Sequence, residues 1–342
     1  MAENTSLTTL DLTVDSYSVD ADLGEDLGNS LLQSTSLTSL SLTFNFSNMK
    51  EGWECKLGER LIKMASLTTL ALELNGDGEW NQEDCLSPIK LGNVLATIKS
   101  LSSLSVSIHS DSMHSFWNKV VGDCLRECTS LKKLSLTFNM DDYSGSCFCG
   151  LTDGLAITTS LKTFSVAVLG DLSRIFDDLT DVLSLNSSVN TLTVTMTVIE
   201  TGSDLCADRR FSFIELPVNT LITTLNLTIN EYGEGISNIS GVLDVCGVFQ
   251  FLAKYTSVTT FNLTLNSSKE VSDDWLPGLC DALKKNTSLT TLRLKVNSHC
   301  SKGNGRLYDF SKLLIESQTI SLLELEVSFY GKDGGCQKLS FQ

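Results

Sequence analysis

The residues best able to do chemistry in this chain are its eleven cysteines. Cys124 and Cys128 stand four residues apart, and Cys147 and Cys149 flank a single phenylalanine. Thiolates with a histidine such as His109 or His114 could make a zinc set. No second matching ligand pair accompanies Cys147 and Cys149 and no CxxC occurs, so the cysteines read as reduced thiols packed as small hydrophobes. Hydrolytic chemistry fares no better, because GxSxG, GxxxxGK[ST] and HExxH are all absent. His109, His114 and His299 lie far from any acid and nucleophile the sequence groups together, and read as loop or strand-end residues. Asp177 with Asp178, and Asp273 with Asp274, fall at expected helix starts, where carboxylates suit the helix dipole. A non-enzymatic chain is expected, with no metal and no cofactor.

The elements that would position any site come from a repeat. "NTSLTTLDLTVD" at residues 4–15 returns as "NTSLTTLRLKVN" at 286–297, and nine related phrases complete a set of eleven. Their first apolar anchors are Leu7, Leu37, Leu67, Leu101, Leu131, Leu161, Val189, Ile222, Val258, Leu289 and Ile320, spaced by 28 to 36 residues. A period of this size means stacked supersecondary units. One half of each unit alternates strictly, as in Leu10-Asp11-Leu12-Thr13-Val14, which buries one face of a short strand. The other half spaces apolar residues by four, as in Trp53, Leu57 and Leu61, Trp117, Val121 and Leu125, and Trp275, Leu279 and Leu283. A leucine stands six residues before every anchor after the first, from Leu31 to Leu314. Strand–helix units at this period require parallel strands with helices on one side. Strands lie about 4.8 Å apart and helices about 10 Å apart, so the stack should curve into a horseshoe with the sheet inside. A single domain over residues 1–342 is expected, with an irregular crossover near 206–219, where Pro217 interrupts the helix pattern.

Leu289-x-x-Leu292-x-Leu294-x-x-Asn297 resembles the leucine-rich repeat. The resemblance implies an α/β leucine-rich-repeat solenoid of about eleven strand–helix repeats, sheet on the concave face and helices on the convex face. It also implies that the asparagines at the ninth position (Asn45, Asn75, Asn139, Asn230, Asn266 and Asn297) satisfy backbone groups where the chain leaves the strand. The full helix resembles the ribonuclease-inhibitor subtype, although the period is slightly longer and the strand carries one more buried residue. The phrasing is most similar to the repeat arrays of cnidarian NOD-like receptors, which implies a cytoplasmic protein-interaction scaffold, the sensor array of an innate-immune receptor. An upstream portion, or self-association, would then cover the N-terminal end, and both ends lack complete caps.

Between the buried positions lie the residues of the inner face. Most are Ser or Thr, which suits an exposed sheet. Asp11, Glu73, Glu324 and Glu326 against Lys133, Arg293 and Lys295 leave that face nearly neutral, although the chain carries a net charge of −16. The acidic excess therefore sits on helices and loops. It disfavours nucleic acid and anionic membranes as partners. It leaves open a regulator of the ribonuclease-inhibitor or Ran-GTPase-activating type that binds a basic protein, and, remotely, a structural or ice-associating role for the hydroxyl rows. The expected partner-binding residues are Thr191, Thr193, Thr224, Asn226, Thr260, Asn262, Arg293 and Lys295, where amides and cations break the uniform ladder. Glu324 and Glu326 should offset Arg293 and Lys295 or blunt the sheet edge. Eight N-x-S/T sequons, Asn186 and Asn286 among them, read as products of a Ser/Thr-rich repeat.

Overall fold

The computed structural model describes residues 6–49, 53–76, 88–109, 114–140, 149–170, 183, 186–199, 221–232, 252–253, 256–267, 275–299, 319–330 and 336–341. The chain divides into two compact units, residues 1–167 with 181–188, and residues 168–180 with 189–342. The expected crossover at 206–219 and the paired aspartates at 177–178 and 273–274 lie outside the described residues.

Unit 1 alternates strand and helix: β1 (Thr9–Val19), α1 (Ala21–Leu31), β2 (Ser39–Met49), α2 (Trp53–Leu61), β3 (Thr69–Gly76), α3 (Pro88–Thr97), β4 (Ser103–His109), α4 (His114–Glu127), β5 (Lys133–Met140) and α5 (Cys149–Ile157). The unit boundary falls within β6 (Thr163–Gly170). Each strand from β1 to β5 pairs in parallel with the next in chain order, and the anchor spacing keeps equivalent residues in register, as in Val14, Phe44, Leu74, Ile108 and Phe138. From Phe44 onward these side chains are buried against the helices. Trp53, Leu57 and Leu61 form the buried face of α2, and the Trp53 ring tilts against Phe44 with centroids 5.0 Å apart. Helix α1 starts at Asp20, whose carboxylate accepts from the Leu23 N–H at 3.2 Å. Helices α4 and α5 touch through glycine: a Cβ on Gly122 would run into the carbonyl oxygen of Gly150.

Unit 2 holds β7 (Thr191–Ile199), β8 (Thr224–Tyr232), β9 (Thr260–Ser267), α6 (Trp275–Lys285), β10 (Thr291–His299), β11 (Leu322–Tyr330) and β12 (Cys336–Phe341). Strands β7 to β11 are parallel in chain order, again in register through Met196, Ile229, Leu265, Val296 and Val327. The last strand was not foreseen. β12 turns back antiparallel on β11, with Leu325 opposite Phe341 and Tyr330 opposite Cys336. Every described leucine six residues before an anchor is buried: Leu31, Leu61, Leu95, Leu125, Leu155, Leu183, Leu252 and Leu283. The repeat, its parallel register and its buried helices make this an α/β leucine-rich-repeat solenoid.

The strands correct one expectation. They were expected to end near the ninth-position asparagine, yet β1 and β2 run to 11 residues, and β7, β8 and β10 to 9. Asn45, Asn230 and Asn297 therefore lie two or more residues inside their strands, while Asn75, Asn139 and Asn266 stand one residue before the strand end. Asn45, Asn75, Asn230, Asn266 and Asn297 donate to neighbouring side chains rather than to backbone groups.

Candidate functional site

The phrase "TSLTTL" is itself an inter-repeat joint. Four serines of the phrase donate their hydroxyls to the anchor carbonyl one repeat back: Ser36 to Leu7 at 2.8 Å, Ser66 to Leu37 at 2.7 Å, Ser100 to Leu67 at 2.7 Å and Ser288 to Val258 at 2.9 Å. Ser160 and Ser188 instead reach the carbonyls of Cys128 at 3.5 Å and Thr158 at 3.1 Å. Where the residue after the anchor is Thr or Ser, its hydroxyl does the same one residue on. The Thr8 carbonyl receives the Thr38 N–H at 2.9 Å, the Ser39 N–H at 3.0 Å and the Thr38 hydroxyl at 3.1 Å. Equivalent hydroxyl bonds recur at Thr68, Ser102, Thr223, Thr259, Thr290 and Ser321. These hydroxyls join each repeat to the one before it at the lead into the strand.

On the helix-free face of unit 2 the register sets side chains in four rows. Thr191, Thr224, Thr260 and Thr291 make the first, and Thr193, Asn226, Asn262, Arg293 and Glu324 the second. Thr195, Thr228, Thr264, Lys295 and Glu326 form the third, and Thr197, Asn230, Asn266, Asn297 and Ser328 the fourth. All eight expected binding residues thus fall on one continuous face. They are mostly half-buried, with Lys295 exposed.

The amides of this face are spent on one another. In-register asparagines on strands about 4.8 Å apart reach each other through one Nδ2–H···Oδ1 bond. Asn226 donates to the Thr193 hydroxyl at 2.9 Å and Asn262 to Asn226 at 2.5 Å. In the fourth row Asn230 donates to Thr197 at 3.1 Å, Asn266 to Asn230 at 2.7 Å and Asn297 to Asn266 at 2.6 Å. This fourth row was missed because its asparagines were assigned to the bend. The second row ends at Asn262, whose Oδ1 has no partner, because Arg293 turns the other way and donates from Nε to Glu324 at 2.7 Å. Lys295 pairs with Glu326 at 3.5 Å. The expected offset of these cations is therefore present, and the face presents polar groups without net charge.

Unit 1 carries a second amide row, Asn45 on Asp15 at 2.5 Å and Asn75 on Asn45 at 2.8 Å, and beside it a cluster the sequence did not suggest. His109 ends β4, as its strand-end reading expected, and it lies within 3.1 Å of the Ser107 hydroxyl and 3.9 Å of Glu73, groups the sequence did not bring together. Strand pairing explains the meeting: β3 and β4 set Glu73 beside Ser107 and Asn75 beside His109. Ser107 and Glu73 both approach Nε2, whereas a nucleophile–base–acid relay needs one partner on each ring nitrogen. The cluster is a polar contact and not a catalytic triad.

The alternative of a metal set on Cys147 and Cys149 lies outside what the described side chains cover. Cys147 lies outside them, and no group of three metal-ligating side chains occurs among them. Cys124 and Cys128 are free and buried. Cys128 takes the slot three residues before an anchor that Asn186 and Asn286 take elsewhere. Each asparagine there accepts from the N–H two residues on, Ser188 at 2.8 Å and Ser288 at 2.9 Å, and donates to a carbonyl of the preceding helical segment. Cys128 accepts instead from Cys124, the Ser130 hydroxyl and the Ser130 and Leu131 N–H groups, and these bonds hold its thiol down to about 5. Cys124, donating to Cys128 in a buried place, is pushed well above the ordinary thiol range.

No helix among the described residues is long and apolar enough to cross a membrane. No family model and no curated protein matches the chain. Among solved structures it is similar to the leucine-rich repeat-containing protein LegL7 of Legionella pneumophila, at 19% identity and a TM-score of 0.46, over 95% of this chain and 92% of that one. A chain of the yeast Rad7–Elc1 complex is similar at 14% identity and a TM-score of 0.37, over 92% of this chain and 75% of that one.

Proposed function

We propose that the chain is a non-catalytic protein-interaction scaffold that takes its partner on the helix-free face of β7 to β11. The observation that carries the reading is the mutual fixing of that face. Thr191, Thr193, Thr224, Asn226, Thr260, Asn262, Arg293 and Lys295 share it, and its amides and cations are held by Asn–Asn, Asn–Thr and Arg–Glu bonds. Side chains already held in place lose little freedom on binding. In the finer reading the array is the sensor of a NOD-like receptor in innate immunity, supported by the phrasing of the repeat. A second reading, a ribonuclease-inhibitor-like or Ran-GTPase-activating-like regulator, draws support from the net charge of −16 lying away from the inner rows.

Capture from an extract of the source cells, compared between the native chain and a variant carrying Asn226→Ala, Asn262→Ala, Arg293→Ala and Lys295→Ala, separates the two. A partner lost only with the variant, whose folding is checked by circular dichroism, supports the face. A partner kept by the variant but released as salt rises supports an acidic outer surface gripping a basic protein. Partners that ignore both changes would refute both readings.

A further inference from the structure

We propose that Cys124 and Cys128 form an oxidisable thiol pair, in which hydrogen peroxide converts Cys128 to a sulfenic acid and Cys124 closes it to a disulfide.

Their placement supports this. Cys124 sits in the last turn of α4 and Cys128 just past its end, its N–H bonded to the Cys124 carbonyl at 2.8 Å. Four residues of helix set the two Cα atoms about 6 Å apart, inside the roughly 4.4–6.8 Å that a disulfide spans. Side chains one turn apart must still close by an ångström or more. Because Cys128 lies beyond the helix, only the cap has to shift.

The surroundings of Cys128 select it as the attacking sulfur. Where Asn186 and Asn286 offer a neutral oxygen to the N–H two residues on, Cys128 offers sulfur to the N–H groups of Ser130 and Leu131 and to the Ser130 hydroxyl at 3.4 Å. Donors converging on one sulfur favour its anion, which is the nucleophilic form. Cys124 lies beside it with its proton in place, the arrangement of a resolving thiol. Both residues are buried, Cys128 with 4% of its surface open and Cys124 with 0%, so Cys128 is the less enclosed of the two.

The chemistry balances. The Cys128 thiolate attacks one peroxide oxygen, the O–O bond breaks, and hydroxide leaves. The Cys124 sulfur then attacks the sulfenic sulfur, the S–O bond breaks, and the departing oxygen takes the thiol proton and leaves as water. The two sulfurs lose two electrons, and the peroxide gains them. The product no longer offers an anion to Ser130 and Leu131, the residues that lead into β5, so oxidation should loosen the joint between α4 and β5.

The test uses the full chain, reduced and then exposed to peroxide. Titration of the unfolded product should find two thiols fewer than the native eleven, and peptide mapping should join Cys124 to Cys128. With Cys124→Ser the reaction should stop at Cys128, which dimedone then labels. Cys128→Asn copies the chain's own Asn186 and Asn286, should keep the fold by circular dichroism, and should leave Cys124 unoxidised. The proposal is overturned if Cys128 stays a thiol while other cysteines oxidise, or if dimedone fails to label it in Cys124→Ser.

Discussion

Replacing Asn286 by alanine tests whether the amide three residues before an anchor is structural. The side chain is 2% exposed. Its Oδ1 accepts from the Ser288 N–H at 2.9 Å, the Ser288 hydroxyl at 3.0 Å and the Leu289 N–H at 2.8 Å, and its Nδ2 donates to the Leu252 carbonyl at 2.8 Å. Alanine strands three backbone groups, and each buried group left unpaired costs about 1–3 kcal/mol. Ser288 is only partly buried, so water can recover its N–H. The Leu289 N–H and the Leu252 carbonyl remain, for a loss of about 3 kcal/mol. The control is Asn297→Ala in the fourth row, where the side chain is only partly buried, so water can replace the lost bond and the cost is about 1 kcal/mol or less. Urea denaturation followed by circular dichroism gives both values, provided the slope with denaturant is unchanged. A solenoid can lose part of its stack, so hydrogen exchange in β10 should report the same difference. Equal losses for Asn286→Ala and Asn297→Ala, or a loss below about 1 kcal/mol for Asn286→Ala, would refute the structural role of the slot.

In an exposed helix interior Gly→Ala stabilises by roughly 1 kcal/mol, but Gly122→Ala should destabilise by about 1–3 kcal/mol in thermal melts, because its Cβ meets the Gly150 carbonyl. A double-mutant cycle on Arg293 and Glu324, both 42% exposed, should return a coupling of about 0.2–1 kcal/mol that shrinks with salt. Stability relative to Cys128→Asn should depend on pH with a definite sign. A thiol lowered from 9.0 to about 5 on folding contributes fully above its unfolded value, and the contribution is lost as pH falls through about 5. The raised Cys124 acts oppositely, removing stability as pH rises past 9.0. Urea midpoints across pH should therefore show a native advantage that grows from pH 5 towards 9 and declines beyond it.

The fold was legible because burial repeats. An apolar side chain every second residue, then every fourth, marks strand and helix wherever the chain packs on itself, and the anchor spacing keeps register through β1 to β5 in one unit and β7 to β11 in the other. Hydrogen bonding left fainter marks. Ser36 and Thr38 look like ordinary strand-lead residues, and only the stacked structure shows their hydroxyls ending on carbonyls of the previous repeat. Asn45 and Asn75 share a column because their strands pair in register, so their bond links residues 30 positions apart. Glu73, Ser107 and His109 meet for the same reason, and no local motif marks them. The β12 hairpin did leave a signal in "KDGG" followed by alternating residues, which reads as a tight turn into a strand. Strand alternation put the eight residues expected to bind a partner on one face, and departure from the Ser/Thr ladder, the criterion that singled out Asn226, Asn262, Arg293 and Lys295, passed over the asparagines bonded in the next row but one.

Inter-repeat bonding also explains which positions can vary. The slot before an anchor holds Asn186 and Asn286 in full hydrogen-bonded form, Cys128 as sulfur, the hydroxyl residues Ser34 and Thr158, and the apolar Met64 and Ile98. Where the slot is apolar, the turn closes by backbone alone: the Leu67 N–H bonds the Met64 carbonyl at 3.1 Å and the Leu101 N–H bonds the Ile98 carbonyl at 3.0 Å. Two closures of one turn thus coexist in a single chain, one through the backbone and one through a buried side-chain acceptor. A repeat using the first can lose its slot residue to any apolar group of similar size. A repeat using the second depends on an acceptor, and sulfur is the one acceptor among those seen here that an oxidant can remove. The chemistry proposed for Cys128 follows from that dependence: the same bonds that close the turn between α4 and β5 are the bonds that make its sulfur reactive.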